Sequence, residues 1–128
     1  MALVRSRGSK AEWVVRRMVY GLGYRYRLHD RRLPGTPDLV FPGRRKAIFV
    51  HGCFWHRHED PACKLARLPK SRLDFWEPKL SGNRQRDIRD HLRLRELGWE
   101  SLVVWECQIA YAEQLRNDLL SFLAEERR

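Results

Sequence analysis

"DLVFPGRRKAIFVH", Asp38–His51, is the stretch on which the fold turns. "DLVF" is a short apolar run, "PGRR" has turn chemistry, and "KAIFVH" is a second run of apolar, β-branched and aromatic residues. The pair reads as two strands of a hairpin joined by a four-residue connection. Upstream, "RRLPGTP" is a loop, because Pro34, Gly35 and Pro37 each interrupt regular structure. "YRYRL" (Tyr24–Leu28) alternates large residues with arginine, as an edge or half-exposed strand does. Before it, Ser9 and Glu12 fit a capping box, and Val14, Val15, Met18 and Val19 follow as the apolar residues of a first helix. That helix is expected to run to about Tyr20 and to stop at "GLG".

Downstream, Gly52 to about Arg72 is irregular in pattern and holds a Cys/His cluster. A helix is predicted from about Asn83 to Leu97, with Ile88, Leu92 and Leu97 as its inner stripe and Gly98 ending it. "SLVVWE" reads as a fully buried strand, and a last helix carries Leu115, Leu119 and Phe122 on one face. The order is α-β-β-β-(insert)-α-β-α, a mixed α/β domain. With 128 residues and neither repeat nor linker, one domain over 1–128 is expected.

Charge narrows the partner class. The chain carries 26 Lys+Arg against 16 Asp+Glu, a net charge of +10. Residues 1–46 hold twelve basic and three acidic side chains, whereas 47–128 hold fourteen and thirteen. Concentrated positive charge favours a patch that meets a polyanion, nucleic acid above all. A lipid surface is disfavoured, because the basic segment has no strong amphipathic anchor. No apolar run approaches the roughly 20 residues of a membrane helix, and "MALVRSRGSK" lacks the apolar stretch of a signal peptide. A cytoplasmic protein is expected.

Three cysteines, an odd number, argue for thiols or a metal rather than a disulfide framework. Cys53, His58 and Cys63 are spaced five residues apart, and Cys107 follows the last predicted strand, from which it can return to the same place. Four Cys/His ligands suit a structural zinc with no position left for water, and a metal would brace an insert that has little core of its own. Spacing leaves His51 and His56 open as alternatives to His58. Asp38, after a Pro-Gly-Thr-Pro loop and at the start of a strand, is placed to hold a hard cation such as Mg²⁺ for phosphodiester hydrolysis. A lone aspartate there is more often just an acceptor of local hydrogen bonds.

The motifs "LPGTPDLVF", "FVHGCFWHRH", "FWEPKLSGNRQRD" and "LGWESLVVWEC" resemble those of the very-short-patch-repair (Vsr) mismatch endonucleases, in the same order and over nearly the whole chain. The resemblance implies a restriction-endonuclease-like fold of the PD-(D/E)XK type: a central mixed β-sheet flanked by helices, with a zinc-braced insert. It implies a Mg²⁺-dependent enzyme that nicks one strand 5′ to the mispaired thymine of a T:G mismatch in double-stranded DNA. That nick initiates repair of deaminated 5-methylcytosine.

By position, Asp38 matches the metal-binding aspartate, and Val50 the residue whose main-chain carbonyl serves the same Mg²⁺. His56 matches the histidine that activates the water, His51 a second active-site histidine, and Asp87 an acidic residue near it. Glu12 matches a glutamate that reaches the site through metal-bound water. Cys53, His58, Cys63 and Cys107 match the Zn²⁺ ligands, while Phe54, Trp55 and Trp76 match aromatics that wedge into the mismatched stack. Inserted rings replace the stacking lost at a mispaired step.

Each role has a plainer counterpart. Glu12 also fits a helix cap, Asp87 can pair with Arg84 or His91, and an adjacent Phe-Trp pair is ordinarily core. The spacing from His58 to Cys63 is a few residues longer than is common in the family, and the arm ahead of Glu12 is shorter. The alternatives to the implied function are a related Mg²⁺-dependent nuclease with another lesion or sequence preference, and a zinc-stabilised DNA-binding module that does not cleave. A monomer is expected, with repair proteins as possible partners.

Overall fold

The computed structural model describes residues 10–53, 58, 63 and 73–125. Helix α1 (Lys10–Gly21) leads through the short strand β1 (Arg27–Leu28) to β2 (Leu39–Phe41) and β3 (Lys46–His51). Helix α2 (Leu73–Glu96), strand β4 (Glu100–Trp105) and helix α3 (Ala112–Ala124) follow. The four strands form one mixed sheet in the order β1-β2-β3-β4. β1 and β3 each run antiparallel to β2, and β4 runs parallel to β3 in the register Lys46↔Glu100 to His51↔Trp105.

The hairpin is as expected. Leu39 pairs with Ile48 and Phe41 with Lys46, and a 3₁₀ turn at Pro42–Arg44 joins the strands. The turn closes on Arg45, whose left-handed backbone (φ 53°) returns its N–H to the Pro42 carbonyl. Alternation along β3 divides the protein into layers. Leu39, Phe41, Ile48, Val50 and Val104 join Val15 and Val19 of α1 and Leu115, Leu119 and Leu123 of α3 in one apolar core. Phe49, His51 and Trp105 point to the other face, where the Phe49 and His51 rings meet His91 of α2.

Several expectations are corrected. The strand expected at Tyr24–Leu28 shortens to Arg27–Leu28. The tyrosines ahead of it pack on the core, and Tyr26 donates its hydroxyl proton to the Arg16 carbonyl at 3.2 Å. Helix α2 begins ten residues before Asn83 and accommodates Pro78, which costs it a backbone hydrogen bond.

Ile88, Leu92 and Leu97 are not its inner stripe: they are 48%, 55% and 55% exposed. The inward positions are Leu80 and Leu94, with His91 between them and half-buried Asp87 one turn before it. Strand β4 is not fully buried; only Val104 is, because β4 is the edge of the sheet among the described residues. On α3, Leu123 takes the innermost place beside Leu115 and Leu119, and Phe122 flanks them.

Gly98 ends α2 as expected. At φ +88° it lets Trp99 N–H reach the Leu94 carbonyl and its own N–H reach that of Arg95, each at 3.0 Å. Helix α3 is closed from the sheet. The buried Lys46 ammonium donates to the carbonyls of Phe122 and Glu125 at 2.5 Å each, and Arg44 to that of Leu123 at 3.0 Å. Among the described residues no helix is long and apolar enough to cross a membrane.

Candidate active site and metal centre

In an α/β sheet the chain opens a crevice beyond the carboxyl ends of its parallel strands. Here β3 ends at His51 and β4 at Trp105, and the antiparallel β2 begins beside them, just after Asp38. Two clusters of potential ligands arise at this end.

The first is Cys53, His58, Cys63 and Cys107. One ligand atom from each lies within 4.8 Å of the others. Cys53 sits two residues past β3, and Cys107 lies in the 3₁₀ turn Glu106–Ala110 that follows β4. Gln108 Oε1 accepts the Trp105 backbone N–H at 2.7 Å and shapes that turn. The Cys107 N–H meets Cys53 Sγ at 3.4 Å, His58 N–H donates to the Cys53 carbonyl at 3.0 Å, and the His58 ring stacks on Trp105 at 4.3 Å.

Cys107 Sγ lies 3.5 Å from His58 Nδ1. A tetrahedral metal with bonds of about 2.3 Å to sulfur and about 2.05 Å to nitrogen would set such a pair roughly 3.6 Å apart. Burial pushes the Cys53 thiol up to about 12 and raises that of Cys107 as well. Only a nearby cation makes thiolates favourable in such surroundings. The donor set therefore fits a four-coordinate metal. Cys63 belongs to it, and His51, open on spacing as a ligand, lies outside this group.

The second cluster is Glu12, His29 and Asp38, again with one ligand atom each within 4.8 Å of the others. Asp38, buried at the start of β2, accepts the Val50 N–H on Oδ2 at 2.7 Å. Glu12, fully buried on the first turn of α1, meets Arg16 Nη2 at 2.5 Å and His29 Nε2 at 2.9 Å. His29 Nε2 stands 3.7 Å from Asp38 Oδ1. The loop between His29 and Asp38 is itself fastened. Arg32 hydrogen bonds hold the Asp30 carboxyl below the usual carboxylate range.

Other expected residues belong to neither cluster. His51, buried at the end of β3, stacks on His91 with centroids 5.9 Å apart and the rings 9° from parallel. Trp76, half-buried near the start of α2, meets the exposed Phe75 edge-on at 5.0 Å. Phe54, Trp55 and His56 lie outside the described residues, as does Ser9 of the expected capping box.

Sequence reasoning missed His29, His91 and Arg16. Arg16 follows Glu12 by four residues and was open to helical spacing. His91 follows Asp87 by one helical turn, a spacing that marks it only as a partner for that residue. No local pattern marks His29, whose partners lie 17 residues before it and nine after.

The sequence matches the family model described as DNA mismatch endonuclease Vsr over residues 1–62. It is 50% identical over 123 residues to type II nicking enzyme V.XorIIP of Xanthomonas oryzae pv. oryzae, covering 93% of this chain and 88% of that protein. It is 40% identical over 126 residues to DNA mismatch endonuclease Vsr of Escherichia coli, covering 98% and 79%. Against type II nicking enzyme V.NmeAIP of Neisseria meningitidis it is 38% identical over 109 residues, covering 85% and 76%.

Proposed function

The chain belongs to the Vsr family of DNA endonucleases, and from that premise we propose that it nicks one strand of duplex DNA 5′ to the mispaired thymine of a T:G mismatch. The restriction-endonuclease-like PD-(D/E)XK fold, over one domain of residues 1–128, is part of the same reading. So are a monomeric state, a cytoplasmic site of action and repair proteins as partners. The relatives' names support both halves of the activity: three describe nicking or mismatch endonucleases.

The observation that carries the reading is the buried Asp38 carboxylate anchored by the Val50 N–H at 2.7 Å, where β2 and β3 part. In an extended strand the N–H and C=O of one residue face the same edge. The Val50 carbonyl therefore turns to the side where Asp38 stands, and these two groups would hold Mg²⁺. Bound there, the cation supplies polarisation of the scissile phosphate and a lower pKa for the attacking water.

Glu12 orients water at the same place, and His56 accepts the proton of the attacking water. His51, packed against Phe49, His91 and Trp105, would serve the phosphate as a second active-site histidine, with Asp87 as its acidic partner. Cys53, His58, Cys63 and Cys107 would hold Zn²⁺, which would brace the segment between His51 and α2. That segment carries Phe54 and Trp55, which with Trp76 enter the mismatched stack.

The test is a Mg²⁺-dependent nicking assay on matched, T:G and U:G duplexes. Wild-type protein is expected to cut the T:G strand selectively. Asp38→Ala is expected to lose at least about 100-fold in rate while still binding the duplex. Full activity of that variant would sink the metal assignment. Equal cutting of matched and mismatched DNA would instead favour a sequence-directed nuclease.

A further inference from the structure

His29 has a backbone that few residues adopt. Its φ of +48° is left-handed, a conformation in which histidine is tolerated but not favoured. The residue extends the sheet by one step, since its N–H donates to the Asp38 carbonyl at 3.1 Å immediately beyond the Leu28↔Leu39 pair. The imidazole comes to lie between Glu12 and Asp38, with a side chain only 14% exposed. Strain of this kind persists where surrounding structure over-determines it, and it collects at functional sites.

The contact is a close approach rather than a hydrogen bond. Nε2 is buried and has no hydrogen-bond partner of acceptable geometry, although Glu12 Oε2 is 2.9 Å away and Asp38 Oδ1 3.7 Å away. The 3.7 Å from Nε2 to Asp38 Oδ1 falls within the span of one coordination shell, and Glu12 stands beside it. Bonds of about 2.1 Å in an octahedron set adjacent ligands about 3.0 Å apart and opposite ones about 4.2 Å apart. Arg16 holds Glu12 through Oε2, and the Val50 N–H holds Asp38 through Oδ2, so both carboxylates are oriented before any cation arrives.

We propose that His29 is a protein ligand of the catalytic cation, giving the site one imidazole nitrogen beside the carboxylate oxygen of Asp38, with Glu12 close by. The inference rests on the reading of Asp38 as the cation-holding residue. Oxygen-only sites suit Mg²⁺, whereas an imidazole nitrogen shifts affinity towards Mn²⁺ and Co²⁺. The site should therefore prefer Mn²⁺ over Mg²⁺ in binding, and His29 should be the source of that preference.

The test reads binding and spectroscopy without DNA or turnover. The full chain, supplied with one equivalent of Zn²⁺ for the cysteine cluster, is titrated with Mn²⁺ and with Mg²⁺. Bound Mn²⁺ is then examined by pulsed electron paramagnetic resonance for ¹⁴N modulation. Wild-type protein is expected to show the nitrogen signature. His29→Gln, which keeps volume and polarity, is expected to abolish it and to weaken Mn²⁺ about tenfold or more, with a smaller change for Mg²⁺.

A wild-type spectrum without ¹⁴N modulation overturns the proposal, whatever the variant's folding. A His29→Gln spectrum that retains the modulation overturns it equally. Asp38→Ala separates the two levels of failure. If it binds Mn²⁺ as wild type does, the cation site itself is wrong. If it abolishes binding while His29→Gln leaves affinity and spectrum unchanged, only the role of His29 falls.

Discussion

Lys46 shows what a single position can conceal. In the sequence it opens an apolar strand and looks like a solvated end, yet it is fully buried and donates to the carbonyls of Phe122 and Glu125. Those acceptors lie 76 and 79 residues away, so no local pattern could announce them. Cations near a helix C-terminus also oppose its macrodipole. Lys46→Met is expected to lower unfolding stability by about 1–3 kcal/mol, because two carbonyls lose a charged donor. Urea denaturation at neutral pH measures this, and an unchanged midpoint would show that water replaces the ammonium without cost. His29 was hidden for the same reason. The place of Asp38 at the head of β2, by contrast, was legible, because its neighbours in sequence form both the loop and the strand that position it.

At the scale of elements, the hairpin, the glycine stop at the end of α2 and the order of strands and helices were all readable, since each rests on local chemistry. The inner face of α2 was not. Counting apolar residues selected Ile88, Leu92 and Leu97, which face solvent, while His91 faces the sheet together with Leu94. A helix whose inward stripe mixes His91 and Asp87 with Leu80 and Leu94 breaks the usual pattern, and such conflicts gather where a protein does its chemistry. The loop before β2 is pressed against this layer. A Cβ on Gly35 would stand 3.0 Å from a Phe49 ring carbon and 3.2 Å from Asp90 Cβ, at a φ of +79°. Gly35→Ala is accordingly expected to cost about 1–3 kcal/mol and to slow nicking by displacing Asp38. Thermal melting and single-turnover cutting would measure the two effects, and wild-type values in both would remove the loop from the site's support.

Over the whole molecule, the surplus of positive charge in residues 1–46 was plain from the sequence and agrees with a family that acts on DNA. The cysteine cluster brings His58 and Cys63 of the insert to the ends of β3 and β4, and it carries a pH dependence of definite sign. In metal-stripped protein the buried Cys53 thiol keeps its proton to about 12, whereas the ordinary value is 9.0. Between those values the unfolded chain ionises first, so the stripped fold loses stability as pH rises. With a metal bound, the cluster would hold thiolates as ligands and escape that loss. The gap in urea midpoint between loaded and chelated samples is therefore expected to widen from pH 7 to pH 10, and a constant gap would argue against thiolate ligation.

The same topology has a kinetic consequence. β2 and β3 meet across one short turn, but Cys53 and Cys107 are 54 residues apart, and β3 must wait for α2 before it can pair with β4. Closing the longer loop costs more entropy and comes later. The hairpin that carries Asp38 and His51 can thus assemble early, and the brace closes last. On unfolding the edge strand should let go first, opening the brace while the hairpin is still paired.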